Sequence, residues 1–316
     1  MIHVHCLHPD RAPEVGVSEA RGLAAGVSDL VWYDIEAPTP ADLDALSTRW
    51  QFHPLAIEDC RRPQRRSRYE RYPNHAFLVL QVLDPSTEDD PLDSHTLAAF
   101  IRPRLLVTVR PARSQLLDRL WRQLEGRQGS VNGELLTQLL LHSAIEEFDH
   151  VLDTYEVAID NLAARAGRPD EPNLLDDLVA LRRDLLQIRR MMQSYHEVAR
   201  RMLDSEGGSG EGALGLRDAL DHAVAIGEIC GVLIAISSGA VEAHTYAASE
   251  RLNLVMKRLA ALSGALVPGT IISGAFGMNF LKIPYSEHPY GFHAVILGIV
   301  SISFAFLGAM RWRRWI

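Results

Sequence analysis

Cysteine is scarce: the chain has three in 316 residues, Cys6, Cys60 and Cys230. An odd, widely spaced set offers no disulfide framework and suits a reducing compartment. A basic excess is missing too. Lys and Arg number 32 against 40 Asp and Glu, a formal net charge of −8. That balance argues against a nucleic-acid partner, which calls for a basic face, and suits a protein that attracts cations. The chain has no glycine-rich phosphate loop, no Gly-x-Ser-x-Gly and no His-Glu-x-x-His. These gaps exclude the common nucleotide, hydrolase and zinc-protease signatures, and no enzyme activity is expected. The start, Met1-Ile2-His3-Val4-His5, has neither basic residues nor an apolar core, so no signal peptide is expected.

Charge is also missing from two long stretches near the end. Leu259 to Met278 carries none, and Phe292 to Met310 has only His293. Each approaches the ~20 residues a helix needs to cross the hydrocarbon core. The average of 47% hydrophobic and 23% charged residues therefore conceals a polar front and an apolar, two-span tail. Lys257 and Arg258 precede the first span, Arg311, Arg313 and Arg314 follow the second, and the loop between holds only Lys282. The positive-inside rule then puts both termini in the cytoplasm and the short loop outside. Trp312 and Trp315 read as interfacial anchors in a cytoplasmic (inner) membrane.

The front reads as an α+β domain over residues 1–128. Leu30 to Ile35, Ala76 to Leu83, Thr96 to Ile101 and Leu105 to Val109 are short apolar or β-branched runs bounded by turn residues. Thr39-Pro40-Ala41-Asp42 opens a helix: Thr39 caps it, Pro40 fits its first turn and Asp42 suits its positive end. His53-Pro54 starts another. Residues 129–204 carry a helical period broken once, at Gly167 to Asn173, and predict an antiparallel pair of charged helices. A glycine-rich turn follows. A long helix is then expected from about Leu214 to Asn279, with 213–258 as a stalk and 259–279 as the first span. Residues 280–291 form the outer loop, 292–311 the second span and 312–316 a basic tail. Pro268 falls inside the first span, where proline is tolerated.

Read at helical spacing, Asn253, Met256, Ala260, Ser263, Val267, Thr270, Gly274 and Gly277 share one face of the long helix. The stripe is small or mildly polar, whereas leucine, isoleucine and phenylalanine occupy the other faces. Two readings stand. Small residues let membrane helices approach closely; equally, hydroxyls, carbonyls and amides can line a water-filled channel. Two spans cannot enclose a pore alone, so conduction requires a symmetric ring with this stripe facing its axis. Asn279 would then form a ring of amide oxygens at the outer mouth. Neutral oxygens suit Mg2+, which gives up its waters reluctantly, and hold it weakly enough to let it leave.

Pro268-Gly269-Thr270-Ile271-Ile272-Ser273-Gly274-Ala275-Phe276-Gly277-Met278-Asn279-Phe280, preceded by Asn253-Leu254-Val255-Met256-Lys257, resembles the CorA family of divalent-cation channels. His53 to Asp59, Pro63-Gln64 and Ala76 to Leu80 look like that family's front domain, and Arg217 to His222 like the start of its stalk. The resemblance implies a funnel-shaped homopentamer with a pore formed by the first span. Gly277, Met278 and Asn279 would select the ion. Gly274, Thr270, Val267 and Ser263 would line the path below, Met256 and Leu259 would form an apolar constriction, and Asn253 would lie beneath it. The outer segment Ile283 to Phe292 instead resembles ZntB, the zinc-transporting branch. Glu287 and His288 there would form a softer outer site, since imidazole suits zinc better than magnesium.

Family members close when intracellular metal fills carboxylate sites between subunits. By that resemblance Asp218 is a regulatory ligand and Asp84 its partner on a neighbouring front domain. No bound cofactor is expected; Mg2+, or another divalent cation, enters as transported and regulatory ion, and the remaining partners are the lipid bilayer and further copies of the chain. Glu146, Glu147, Asp149, Asp153, Glu156 and Asp160 read either as a cation-gathering set or as the wet side of a helix. His3, His5, Cys6 and His8 read as metal ligands or as a solvent-facing strand edge. Proton-coupled zinc transport and a non-conducting metal sensor remain the rival functions. No ionisable residue shares the stripe, which leaves a proton relay without a place inside it.

Overall fold

The computed structural model describes residues 2–7, 14–17, 30–62, 66–83, 92–125, 131–168, 171–205, 211–278 and 288–313. Its contacts divide the chain into two units, Met1–Ala163 with Leu175–Ser238, and Ala164–Leu174 with Gly239–Ile316.

The first unit is built on a seven-stranded sheet: β1 Ile2–Leu7, β2 Glu14–Val17, β3 Leu30–Glu36, β4 Arg68–Arg71, β5 Ala76–Leu83, β6 Ser94–Arg102 and β7 Leu105–Arg110, in the order β2-β1-β3-β7-β6-β5-β4. Every pairing is antiparallel except β3 with β7. Strands β3, β5, β6 and β7 coincide with the apolar runs. Strand β4, Arg-Tyr-Glu-Arg, has no such run and forms by pairing with β5.

Both faces of the sheet are buried, which is why its central strands are almost continuously apolar. One face packs Phe77, Val79, Phe100, Val107 and Val109 against Leu43 and Leu46 of α1 (Pro40–Trp50) and Ala56 and Ile57 of α2 (Pro54–Arg61). The start of α1 is fastened as its sequence predicts. Thr39 Oγ1 accepts from Asp42 N at 3.2 Å while Asp42 Oδ2 accepts from Thr39 N at 2.8 Å. The Thr39 backbone N–H and hydroxyl hold the Asp42 carboxyl below its ordinary range.

The opposite face packs Trp32, Leu78, Leu80, Leu97 and Leu106 against α3 (Gln115–Glu125), α4 (Gly133–Arg165), α5 (Leu174–Ser205) and the first half of α6 (Glu211–Phe276). Helix α3 goes unrecognised in the sequence because its apolar positions, Leu116, Leu117, Leu120 and Leu124, are interleaved with charges. Only glycine fits at the start of α4: a Cβ on Gly133 would stand 2.2 Å from the Arg102 carbonyl oxygen. Within this unit α4 and α6 run parallel, with Gln138 opposite Gly215 and Asp149 bonded to His222. Helix α5 runs against both. Tyr155 donates to Asp184 at 3.0 Å, and Ser237 to the Leu178 carbonyl at 3.2 Å.

A buried ionic network fastens the parallel strand pair. Trp32 Nε1 donates to Thr108 Oγ1 at 2.9 Å, Thr108 donates to Asp34 Oδ1 at 2.7 Å, and Arg110 reaches Asp34 Oδ2 at 2.8 Å and Glu36 at 3.1 Å. Burial opposes the charge on Arg110, but these carboxylates outweigh it and raise its pKa. Arg110→Met would leave the Asp34 carboxylate buried without its cation. The expected loss is roughly 3–5 kcal/mol, read as a lower denaturant midpoint.

Glu147 departs from the acidic set. Glu146, Asp153, Glu156 and Asp160 are exposed, as a wet helix side requires, but the Glu147 side chain is 8% exposed and pairs with Arg119 of α3. Burial raises its pKa to about 7, despite Arg119. His5, by contrast, has its ring between Trp32 and Trp121, at 5.1 and 4.1 Å between centroids, so it is not on a free strand edge; His8 lies outside the described residues. Because Glu147 has a raised folded-state pKa, its stabilising protonated form is complete below the ordinary value of 4.5. That contribution is lost as pH rises through about 7. Glu147→Gln is therefore expected to raise the melting temperature at pH 8 and leave it unchanged near pH 4, flattening the melting profile between them.

Candidate functional site

The second unit holds the turn between α4 and α5, the second half of α6 and α7 (Gly291–Trp312). Arg165 clamps the turn by donating to Glu171 Oε2 at 2.7 Å, and this pairing, foremost among its neighbours, lowers the Glu171 pKa. The second half of α6 and all of α7 are long and apolar enough to cross a membrane. Phe292, Leu297 and Phe304 of α7 are about 70% exposed within the chain, a surface that lipid or another copy must cover.

The two helices form an antiparallel hairpin along a narrow line of small residues. Ala261 and Ala265 are buried there. A Cβ on Gly264 would stand 2.7 Å from the Phe306 ring, and one on Gly269 would stand 3.0 Å from Ile299. Ser303 Oγ donates to the Ala265 carbonyl at 2.7 Å, beside Pro268 and within the span. Helix α6 continues past that proline, as expected, but ends at Phe276, three residues before the expected Asn279. The Gly277 N–H turns back to the Ser273 carbonyl at 2.9 Å, closing the helix at Gly277.

The small stripe picked out in the sequence is a different line. Asn253, Met256, Leu259, Ser263, Val267, Thr270, Gly274, Gly277 and Met278 are all exposed within the chain. At about 100° per residue, Ser263 lies roughly 160° around the helix from Ala261 and Ala265. The α7 contact therefore occupies nearly the opposite face. Leu259 falls about 40° from Ser263 and belongs with the stripe. The Thr270 hydroxyl donates to the Val267 carbonyl at 2.8 Å, leaving its oxygen lone pairs available on that face. Among the described residues, apart from the helix's own neighbouring backbone, nothing approaches within 4 Å of a Cβ on Gly274.

Three expected site residues, Asn279, Glu287 and Asp84, lie outside the described residues. His288 is described: its Nδ1 accepts from Tyr290 N at 3.3 Å and its carbonyl from Gly291 N at 2.9 Å, which starts α7. Asp218 projects from α6 with its side chain 73% exposed, 3.8 Å from His142 Nδ1 of α4. Sequence reasoning missed that neighbour, since 76 positions separate the two residues and no local period links them.

An α/β unit followed by two helices long and apolar enough to cross a membrane fits a membrane protein. The family model described as CorA-like Mg2+ transporter protein matches residues 27–312. The chain belongs to that family, whose members move divalent cations and are not enzymes. The putative metal ion transporter YfjQ of Bacillus subtilis is 25% identical over 279 residues, 85% of each chain. The cobalt/magnesium transport protein CorA of Thermotoga maritima is 22% identical over 262 residues, covering 79% of this chain and 73% of that one. The zinc transport protein ZntB of Pectobacterium atrosepticum is 22% identical over 297 residues, 89% of this chain and 85% of its own. The solved CorA magnesium transporter of Methanocaldococcus jannaschii has the same fold: TM-score 0.86 and 16% identity over 99% of this chain and 98% of that one.

The hairpin contact makes its own prediction. Gly264→Leu must displace Phe306 and is expected to lower the melting temperature of the detergent-solubilised protein. Ser303→Ala removes one interhelical bond and is expected to cost about 0.6 kcal/mol, a shift much smaller than that of Gly264→Leu.

Proposed function

We propose that the chain assembles into a ring, a homopentamer by family resemblance, in which the exposed stripe of α6 lines a path for Mg2+ through the cytoplasmic membrane. One observation carries this reading: the small polar stripe and the helix-packing line occupy nearly opposite faces of the same span. Packing within the hairpin therefore does not account for Ser263, Thr270 and Gly274, and a path between copies does.

In this reading Gly277, Met278 and Asn279 form the outer, ion-selecting mouth. The amide oxygens of Asn279 hold a largely hydrated ion. Thr270 and Gly274 offer hydroxyl and backbone oxygens below it. Met256 and Leu259, both more than half exposed in the single chain, make an apolar ring that gates by dewetting, with Asn253 beneath. Both termini face the cytoplasm, where the first unit meets the intracellular ion pool. Mg2+ bridging Asp218 to Asp84 of a neighbouring copy holds the ring closed, because a ligand that favours one state shifts the population toward it.

A zinc-transport reading is supported by the likeness to ZntB and by His288 at the start of α7. Flux into liposomes separates the two. Magnesium influx driven by membrane potential and indifferent to a pH gradient supports the first; zinc influx that requires the gradient supports the second and turns attention to Glu287 and His288.

The stripe is tested by two substitutions. Asn279→Ala and Gly274→Leu are each expected to reduce ion influx at least about tenfold while leaving melting temperature and assembled size unchanged. Wild-type flux in both variants would reject the stripe as the path.

A further inference from the structure

The open end of the α6–α7 hairpin gathers positive charge. As residue number falls along α6 it rises along α7: Gly269 faces Ile299, Ala265 faces Ser303 and Gly264 faces Phe306. Continued by about two turns, that alignment brings Lys257 and Arg258 of α6 level with Arg311 and Arg313 at the end of α7. All four are exposed. At about 100° per residue, Lys257 and Arg258 lie roughly 40° and 60° to either side of Ala261, on the face that α7 covers. Arg311 and Arg313 lie roughly 80° to either side of Ser303, flanking the face turned to α6. The four cations therefore converge on the mouth of the hairpin. Trp312 lies roughly 180° from Ser303 and is 89% exposed.

Counter-charge is missing from the same stretch. From Arg251 to Ile316 the one acidic side chain is Glu287, which precedes α7 and so belongs to its opposite end. Glu250 precedes Lys257 by about two turns. Among the described residues, no carboxylate pairs with any of the four cations.

We propose that Lys257, Arg258, Arg311 and Arg313 form a binding site for the phosphate of an anionic phospholipid headgroup. Both helices leave their apolar segments at this level, where a spanning helix meets the headgroup layer. Cations without a carboxylate call for an anion from outside the hairpin, and the membrane surface supplies phosphate. Basic pockets between spanning helices hold such headgroups. The arginines present the planar fork that matches phosphate, and Lys257 adds a point charge. A zwitterionic lipid brings an ammonium that the cluster repels, so an anionic lipid is preferred. Trp312, turned away from the pair, sits in the headgroup layer beside it. A lipid held there ties the end of α7 to α6. The inference rests on the two membrane spans and not on the pore reading.

The test is lipid binding to the delipidated full-length protein in detergent. Phosphatidylglycerol and phosphatidylcholine are added at equal concentration, and bound lipid per chain is read by native mass spectrometry. The wild type is expected to prefer phosphatidylglycerol at least tenfold. Lys257→Gln, Arg258→Gln, Arg311→Gln and Arg313→Gln are each expected to narrow that preference about fivefold. Lys282→Gln, a cation of the loop at the other end of the hairpin, is expected to keep it. Arg311→Lys is expected to keep more of it than Arg311→Gln, which separates lipid binding from damage to the hairpin. Equal binding of the two lipids by the wild type overturns the site, as does an unchanged preference when Arg311→Gln and Arg313→Gln are combined. Displacement by inorganic phosphate beyond that by chloride of equal ionic strength overturns the lipid in favour of free phosphate. An altered assembled size with wild-type lipid preference assigns the cluster to a contact between copies and overturns it too. None of these results bears on whether the stripe conducts.

Discussion

Helix α6 must answer to two solvents with one backbone. In hydrocarbon no water satisfies a peptide group, so a crossing segment must bond all its own N–H and C=O groups, and a helix does this within the segment. The same ladder runs back through residues that pack on a sheet. What changes along it is the side-chain pattern. Leu216, Ala219, Ala223, Ile226, Cys230 and Leu233 bury one stripe in the core of the first unit. From about Leu252 onward apolar side chains face outward instead. Burial in protein gives way to burial in lipid without a break in the helix.

The first unit is organised by a sheet covered on both faces. Its centre is the β3–β7 pair, the one parallel contact, and polar groups there are bonded in series from Trp32 through Thr108 and Asp34 to Arg110. Such a network is costly to leave half made, and here each member has a partner. Burial also makes the two described cysteines inert. The thiols of Cys60 and Cys230 are pushed up to about 12 and 11, respectively, and both are free.

Small residues serve two purposes on one span. Ala261, Gly264, Ala265 and Gly269 bring α7 close to α6, in the way small residues let membrane helices approach. Ser263, Thr270 and Gly274 are also small or slender but exposed, nearly opposite that contact. Composition could not separate these lines, because both are poor in bulk and lie on the same stretch of chain. Direction around the helix separates them, and direction is decided by where the partner helix sits.

Much of the fold was legible in the sequence alone. The charge-free runs gave away the two apolar helices, because no soluble core of this composition needs a segment of that length without charge. Local rules placed the cap at Thr39 and the break at Gly167 to Asn173. The run from Pro268 to Phe280 resembles the CorA family, whose model matches residues 27–312. Other features required the tertiary structure, for one physical reason: they depend on partners distant in sequence. Strand β4 exists through its pairing with β5, and α3 through the core it covers. Glu147, which its neighbours make look solvated, is buried where it pairs with Arg119 of α3. Asp218 and His142 stand 76 positions apart, and only the parallel packing of α4 and α6 brings them within 3.8 Å.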